Sequence, residues 1–148
     1  MKKAFSLIEV LVFTTVLSFF FIAAMSTATY TLRTMKTNQH KILATHYAQA
    51  AMEWLRSQKE SSWAVYTALD TGAGTTGYCL NDLNFNSVGD CGTNYSLGTP
   101  AIFKRELILE NDPDSTTPDR VNTTVKVEWI EAGRVTDVVL ESIFTTIE

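Results

Sequence analysis

The sequence predicts an α+β protein in which one long N-terminal helix packs on a small antiparallel sheet of at least three strands. Three observations predict it. The first glycine is Gly72 and the first proline is Pro100, so neither strong helix breaker occurs in the first 71 residues. No charged residue occurs from Val10 through Leu32. Near the other end, apolar and polar residues alternate from Val121 to Trp129, and Ala132-Gly133 follows as a tight turn. The 148 residues suffice for one domain with an appendage. The net charge of −4 hides a division. Through residue 60, seven basic side chains oppose three acidic ones; beyond it, five oppose thirteen.

Lys2 and Lys3 precede the uncharged run, and basic residues before a first span hold that end in the cytoplasm. A transmembrane helix needs about 20 mostly apolar residues, which residues 5–32 supply. Beyond Arg33 the pattern becomes amphipathic over residues 33–60. Leu43, Tyr47, Ala51, Trp54 and Leu55 recur at steps of three and four and are expected to face a soluble domain. A single helix from residue 5 to 58 would be about 80 Å long at 1.5 Å per residue. The competing reading is two helices with a break in the polar cluster from Thr34 to Asn38.

Glu9 is the anomaly. It is the only acid before Glu53 and lies in the run Phe5-Ser6-Leu7-Ile8-Glu9-Val10-Leu11-Val12. A carboxylate in a span costs about 2.5–3.5 kcal/mol at mid-bilayer on insertion scales, so it usually has a partner. No lysine or arginine lies within helical reach on the lipid side. A cation from another chain or a free amino terminus made by nearby cleavage could serve; the alternative is a snorkelling or protonated side chain.

Residues 61–100 form a variable region rich in Gly, Asn, Thr and Ser, and read as loop from Asp70 to Pro100. It holds both cysteines, Cys79 and Cys91. Outside a membrane a disulfide is the expected state. Free thiols and a metal site are the alternatives, and the pair lacks the C-x-x-C spacing of a zinc site. Residues 101–148 carry the sheet: a first strand from Ala101 to Glu110, then a hairpin over residues 121–147. Asn111, Asp112, Asp114 and Asp119 in the connecting segment could offer oxygens to calcium, although Pro113 and Pro118 fit an ordinary turn better. Asn94-Tyr95-Ser96 and Asn122-Thr123-Thr124 match the N-glycosylation pattern, a match too short to weigh.

The acidic balance argues against a nucleic-acid partner. His40 and His46 are six residues apart on the expected helix, on opposite sides, which disfavours joint metal binding. There is no phosphate loop, nucleophile elbow or H-E-x-x-H motif. No enzymatic activity, metal or cofactor is expected.

Lys2-Lys3-Ala4-Phe5-Ser6-Leu7-Ile8-Glu9-Val10-Leu11-Val12 resembles the processing signal of type IV pilins and pseudopilins. Ala48-Gln49-Ala50-Ala51-Met52-Glu53-Trp54-Leu55-Arg56 with Ser61-Ser62-Trp63 resembles more distantly the helix end of minor pilins of the PilV type. The resemblance implies that residues 1–4 are a leader, cut by prepilin peptidase between Ala4 and Phe5, with methylation of the new terminal amine. It implies that Glu9 serves assembly by pairing with the terminal amine of a neighbouring subunit's Phe5. The family most often has glycine before the cut, where this chain has Ala4. The implied function is structural: a subunit, in particular a minor one, of a type IV pilus or related pseudopilus. Its implied partners are membrane lipid before assembly, an assembly platform and other pilin subunits. Its implied location is the inner membrane, with the C-terminal domain outside, then a surface filament. Three other readings compete. These are an ordinary secretory signal cut near Ser26-Thr27-Ala28, an uncleaved anchor bearing an extracytoplasmic binding module that does not polymerise, and a secreted hydrolase.

Overall fold

The computed structural model describes residues 6–70, 76–111 and 119–146. Helix α1 runs from Leu7 to Ser61, 55 residues without interruption. The polar cluster at Thr34 to Asn38 does not break it. The hydroxyls of Thr34 and Thr37 donate to the carbonyls of Tyr30 and Arg33, which satisfies them within the helix. Ser62 ends α1 in extended backbone (φ −162°) and caps a short helix α2, Trp63–Thr67. Its hydroxyl accepts from Val65 N at 3.4 Å. The chain forms two compact units, Met1–Gln39 and His40–Glu148.

In the second unit the C-terminal part of α1 lies on a four-stranded antiparallel sheet in the order β1-β2-β3-β4. The strands are β1 Thr76–Cys79, β2 Phe103–Asn111, β3 Arg120–Glu131 and β4 Arg134–Thr145. The expected three strands are present, and β1 is an addition inside the segment read as loop. Four residues including Gly77 give no two-fold pattern strong enough to notice; pairing with β2 from Thr76↔Leu109 to Cys79↔Glu106 makes them a strand. Between β3 and β4, Ala132 and Gly133 both adopt positive φ (50° and 77°). Such a turn matches the twist of the flanking strands and closes the hairpin at Glu131↔Arg134.

The face of α1 that meets the sheet is the expected stripe around Tyr47, Ala51, Trp54 and Leu55, with Ala44 and Ala48 added and Leu43 left out. Ala44, Ala48, Ala51 and Leu55 are fully buried, whereas Leu43 is 44% exposed; Tyr47 and Trp54 are half-buried at the margins. Three of the four central residues are alanines. They meet Phe103, Leu107, Leu109, Val121, Val125, Val127 and Trp129, the apolar phase of β2 and β3. Three of the polar side chains buried here, Tyr66, Tyr78 and Asp70, have clear partners, whereas Asn111 Oδ1 and His40 Nδ1 accept or donate no hydrogen bond among the described residues. Tyr66 shares a 2.8 Å hydrogen bond with Thr123, and the Tyr78 hydroxyl donates to Leu69 O at 2.6 Å. Asp70 accepts from Thr76 Oγ1 at 2.8 Å and Asn111 N at 2.9 Å.

Candidate functional site

Glu9 lies in the first turn of α1. Ser6 occupies the N-cap position, its carbonyl accepting from Glu9 N at 3.0 Å, and the Glu9 carboxylate reaches back to accept from Ser6 N at 3.1 Å. A glutamate three residues after a serine cap that satisfies the cap's own N–H is half of a capping box. Sequence reading treated Glu9 as an isolated charge and missed this bond, although the Ser6-x-x-Glu9 spacing carries the signal. The bond uses Oε2 alone and leaves Oε1 for a second donor. Among the described residues no cation pairs with the carboxylate.

The surroundings of Glu9 are apolar. Ile8, Val12, Phe13 and Val16 line an open surface beside it. The exposed large hydrophobic side chains continue along α1 through Phe19, Phe20, Phe21, Ile22 and Met25. The most apolar 18-residue window of α1 has a mean hydropathy of 2.3 and none of it is buried. This is one helix, near the N-terminus, long and apolar enough to cross a membrane. Its polar atoms fit that environment. Thr14, Thr15, Ser18, Thr27, Thr29 and Thr31 each donate their hydroxyl to a carbonyl three or four residues earlier, so none of these donors needs water.

The other residues singled out by sequence are distributed as follows. Ala4 and Phe5 lie outside the described residues. Cys79 and Cys91 form the expected disulfide, in the second unit, with Cα atoms 4.8 Å apart. The bridge fixes the loop after β1 on the outer face of the sheet, where Cys91 N donates to Glu106 Oε1 at 3.0 Å. His40 and His46 do not meet. His40 Nδ1 is 3.7 Å from Glu131 Oε2 and its ring stands edge-on to Phe103, while His46 is exposed. Of the candidate calcium residues, Asn111 and Asp119 are described; Asp112 and Asp114 are not. Asn111 N and Nδ2 donate to Asp70 and Thr67 O, so its donors serve the fold. Among the described residues no group of three or more His, Cys, Asp or Glu could hold a metal ion.

Two charged clusters in the sheet escaped the sequence reading. Arg105 is 3% exposed on the inner face, in phase with Phe103 and Leu107. Its guanidinium donates to Leu80 O (3.0 and 2.7 Å), Tyr47 O (2.9 Å) and Asn81 O (3.3 Å), tying α1 to the loop after β1. Burial pushes its pKa down to about 10, against the opposing pull of Asp82. An arginine in the apolar phase of a strand was the available signal. On the outer face Lys104 bridges Glu106 at 2.9 Å and Glu128 at 2.8 Å, and Lys126 also pairs with Glu128. Burial raises Glu128, but hydrogen bonds from Lys104 and Lys126 outweigh it and hold the carboxyl below its ordinary value. Lys104 is held above its own, because the bonds to Glu128 and Glu106 outweigh desolvation. These networks shape the fold and present no open cleft with convergent reactive groups.

No family model matches the chain, and neither a curated protein nor a solved structure matches it.

Proposed function

We propose that this chain is a structural subunit, of the minor kind, of a type IV pilus or a related pseudopilus. The observation that carries the reading is Glu9: a carboxylate on the exposed apolar surface of a breaker-free helix, with one oxygen engaged and the other open among the described residues. The α+β plan of a long helix on a small antiparallel sheet supports it. So does the sequence from Lys2 to Val12, which resembles a prepilin signal.

Under this reading prepilin peptidase cuts between Ala4 and Phe5 and frees an amine at Phe5, immediately before the capping Ser6. Lys2 and Lys3 leave with the leader. Residues 5–32 hold the subunit in the inner membrane, with residues 40–148 outside. The assembly platform then moves it from lipid into a filament. There the Glu9 carboxylate of one subunit pairs with the Phe5 amine of a neighbour. Two charges that are costly alone in an apolar bundle cancel together, and removing one leaves the other unpaired. The pair therefore sets register as much as it adds stability.

Two experiments test this. Amino-terminal sequencing of the mature protein should read from Phe5; a start at Met1 or Thr29 contradicts the processing. Glu9→Ala should leave the protein in the membrane but absent from sheared filaments; normal incorporation would sink the proposal. Absence of the unaltered protein from such filaments would favour an anchored binding module that does not polymerise.

A further inference from the structure

The two edges of the sheet are treated differently. The β1 edge is covered by the loop that follows it: Cys79 N donates to Ser87 O at 2.9 Å and Gly89 N to Gly77 O at 2.8 Å. The β4 edge has no strand beside it among the described residues. Register tells which backbone groups this leaves open. The two-residue turn makes Glu131↔Arg134 the hydrogen-bonded pair that closes the hairpin. Hydrogen-bonded and non-hydrogen-bonded pairs then alternate. Thr136, Val138, Leu140 and Ser142 thus turn their backbone groups toward β3, while Val135, Asp137, Val139, Glu141 and Ile143 turn theirs outward. The same five residues carry their side chains on the outer face, with Val135, Val139 and Ile143 at 62%, 42% and 64% exposure. Edge strands are ordinarily blunted by proline, charged side chains (lysine above all) or a bulge, and at its outward positions β4 has only the charges of Asp137 and Glu141. The 12 residues of β4 contain neither proline nor lysine, and pairing with β3 is one-to-one throughout.

Charge selects the occupant. Asp137 and Glu141 alternate with the three exposed apolar residues. Lys104 is committed to Glu106 and Glu128, while Lys126 pairs with Glu128 and also lies within electrostatic reach of Asp137. With Lys104, Lys126 and Arg120 against Glu106, Glu110, Glu128, Asp137 and Glu141, the face is net acidic. A second copy paired antiparallel about Val139 would set Asp137 opposite Glu141 twice, and directly opposed like charges destabilise a sheet. Centred on Val138 the pairing sets Asp137 opposite Val139 and Glu141 opposite Val135, and centred on Leu140 opposite Ile143 and Val139, in neither case opposite a cation. A strand with apolar residues opposite Val135, Val139 and Ile143 and basic residues opposite Asp137 and Glu141 meets neither conflict. We propose that the β4 edge takes up, by strand addition, an extended segment of a partner protein that alternates apolar and basic residues on one face. Backbone hydrogen bonds supply the affinity in this mode and the alternate side chains the specificity. The inference rests on the β4 edge alone and stands whether or not the chain enters a filament.

The test uses the full chain in zwitterionic detergent micelles and residue-resolved amide exchange. The probe is a nine-residue peptide with valine, lysine, valine, lysine and valine at alternate positions and threonine between them. In the free protein the amides of Val135, Asp137, Val139, Glu141 and Ile143 should exchange faster than those of Val138 and Leu140. The peptide should slow those five by about tenfold or more, and its counterpart with glutamates for lysines should not. Val139→Pro should abolish the protection, because the lost N–H faces outward. Asp137→Lys with Glu141→Lys should invert the preference toward the glutamate peptide, an outcome readable even if the proline variant fails to fold. Three results would overturn the proposal. They are no slowing at millimolar lysine peptide, equal slowing by both peptides, or slowing without peptide that grows with protein concentration, which would make a second copy the occupant.

Discussion

Replacing Arg105 with methionine removes a buried cation while keeping most of the side-chain stem. Two terms oppose each other. The guanidinium sits at 3% exposure and burial lowers its pKa to about 10, so holding the charge there costs on the order of 3 kcal/mol relative to the neutral group at 1.36 kcal/mol per pH unit. Methionine relieves that cost. Removing the guanidinium takes its hydrogen bonds from three carbonyls, at about 1–3 kcal/mol for each carbonyl. Two of these belong at the low end: Leu80 O still accepts from Leu83 N at 3.1 Å, and Tyr47 O lies within the uninterrupted α1. About 3–5 kcal/mol is therefore lost against about 3 regained, and Arg105→Met should destabilise by only about 0–2 kcal/mol. Arg105→Ala should cost about 2 kcal/mol more, because the stem's packing goes too. Urea titration of the full chain in micelles, followed by tryptophan near-ultraviolet dichroism, reads both. A cost above about 4 kcal/mol for methionine, or alanine no worse than methionine, would refute the assignment of Arg105 as a carbonyl clamp whose charge is a burden.

Other consequences are as direct. Cys79→Ser with Cys91→Ser closes no loop in the unfolded chain and should lose about 3 kcal/mol; a reducing agent should reproduce the loss in the unaltered protein and have no effect on the variant. Glu128, held below its ordinary pKa, contributes stability that is present above the unfolded carboxylate value and lost as pH falls through the folded one. Glu128→Gln should therefore be less stable than the parent at pH 7 and should flatten the acid limb of the stability curve; an unchanged limb would assign that loss to other carboxylates. Gly98 has φ +96° and a Cβ there would stand 3.2 Å from Phe103 Cδ2 and from Pro100 O, so Gly98→Ala should cost about 1–3 kcal/mol in thermal unfolding.

Fold class was readable because its signals are long. Seventy-one residues without glycine or proline leave little besides a helix, and a two-fold alternation ending in Ala132-Gly133 leaves little besides a hairpin. What escaped was short or of the wrong residue type. Strand β1 has four residues and depends on β2 for its existence. The helix stripe through Tyr47, Ala51, Trp54 and Leu55 was readable from its period; its first member was not, because hydrophobicity favours Leu43 where the core takes Ala44. Arg105 was invisible for the opposite reason: charged residues are read as exposed, and only the phase of β2 reveals that this one points inward. The spacing from Ser6 to Glu9 could have disclosed the capping bond, but the apolar run around it drew attention to charge alone. Lys104, Glu106, Lys126 and Glu128 come together only once β2 and β3 are set in register, as Lys104↔Glu128 and Glu106↔Lys126.

The capping bond also yields the sharpest test of the proposed assembly role. Glutamine at position 9 can still accept from Ser6 N and so preserves the helix start, while abolishing the charge. Alanine removes both. The decisive measurement is the amount of subunit in sheared filaments for Glu9→Gln beside the unaltered protein, normalised to membrane content. If Glu9 acts by pairing with a neighbouring amine, Glu9→Gln should be as absent from filaments as Glu9→Ala. Incorporation of Glu9→Gln at the level of the unaltered protein would make Glu9 a helix cap and nothing more, and would contradict the account.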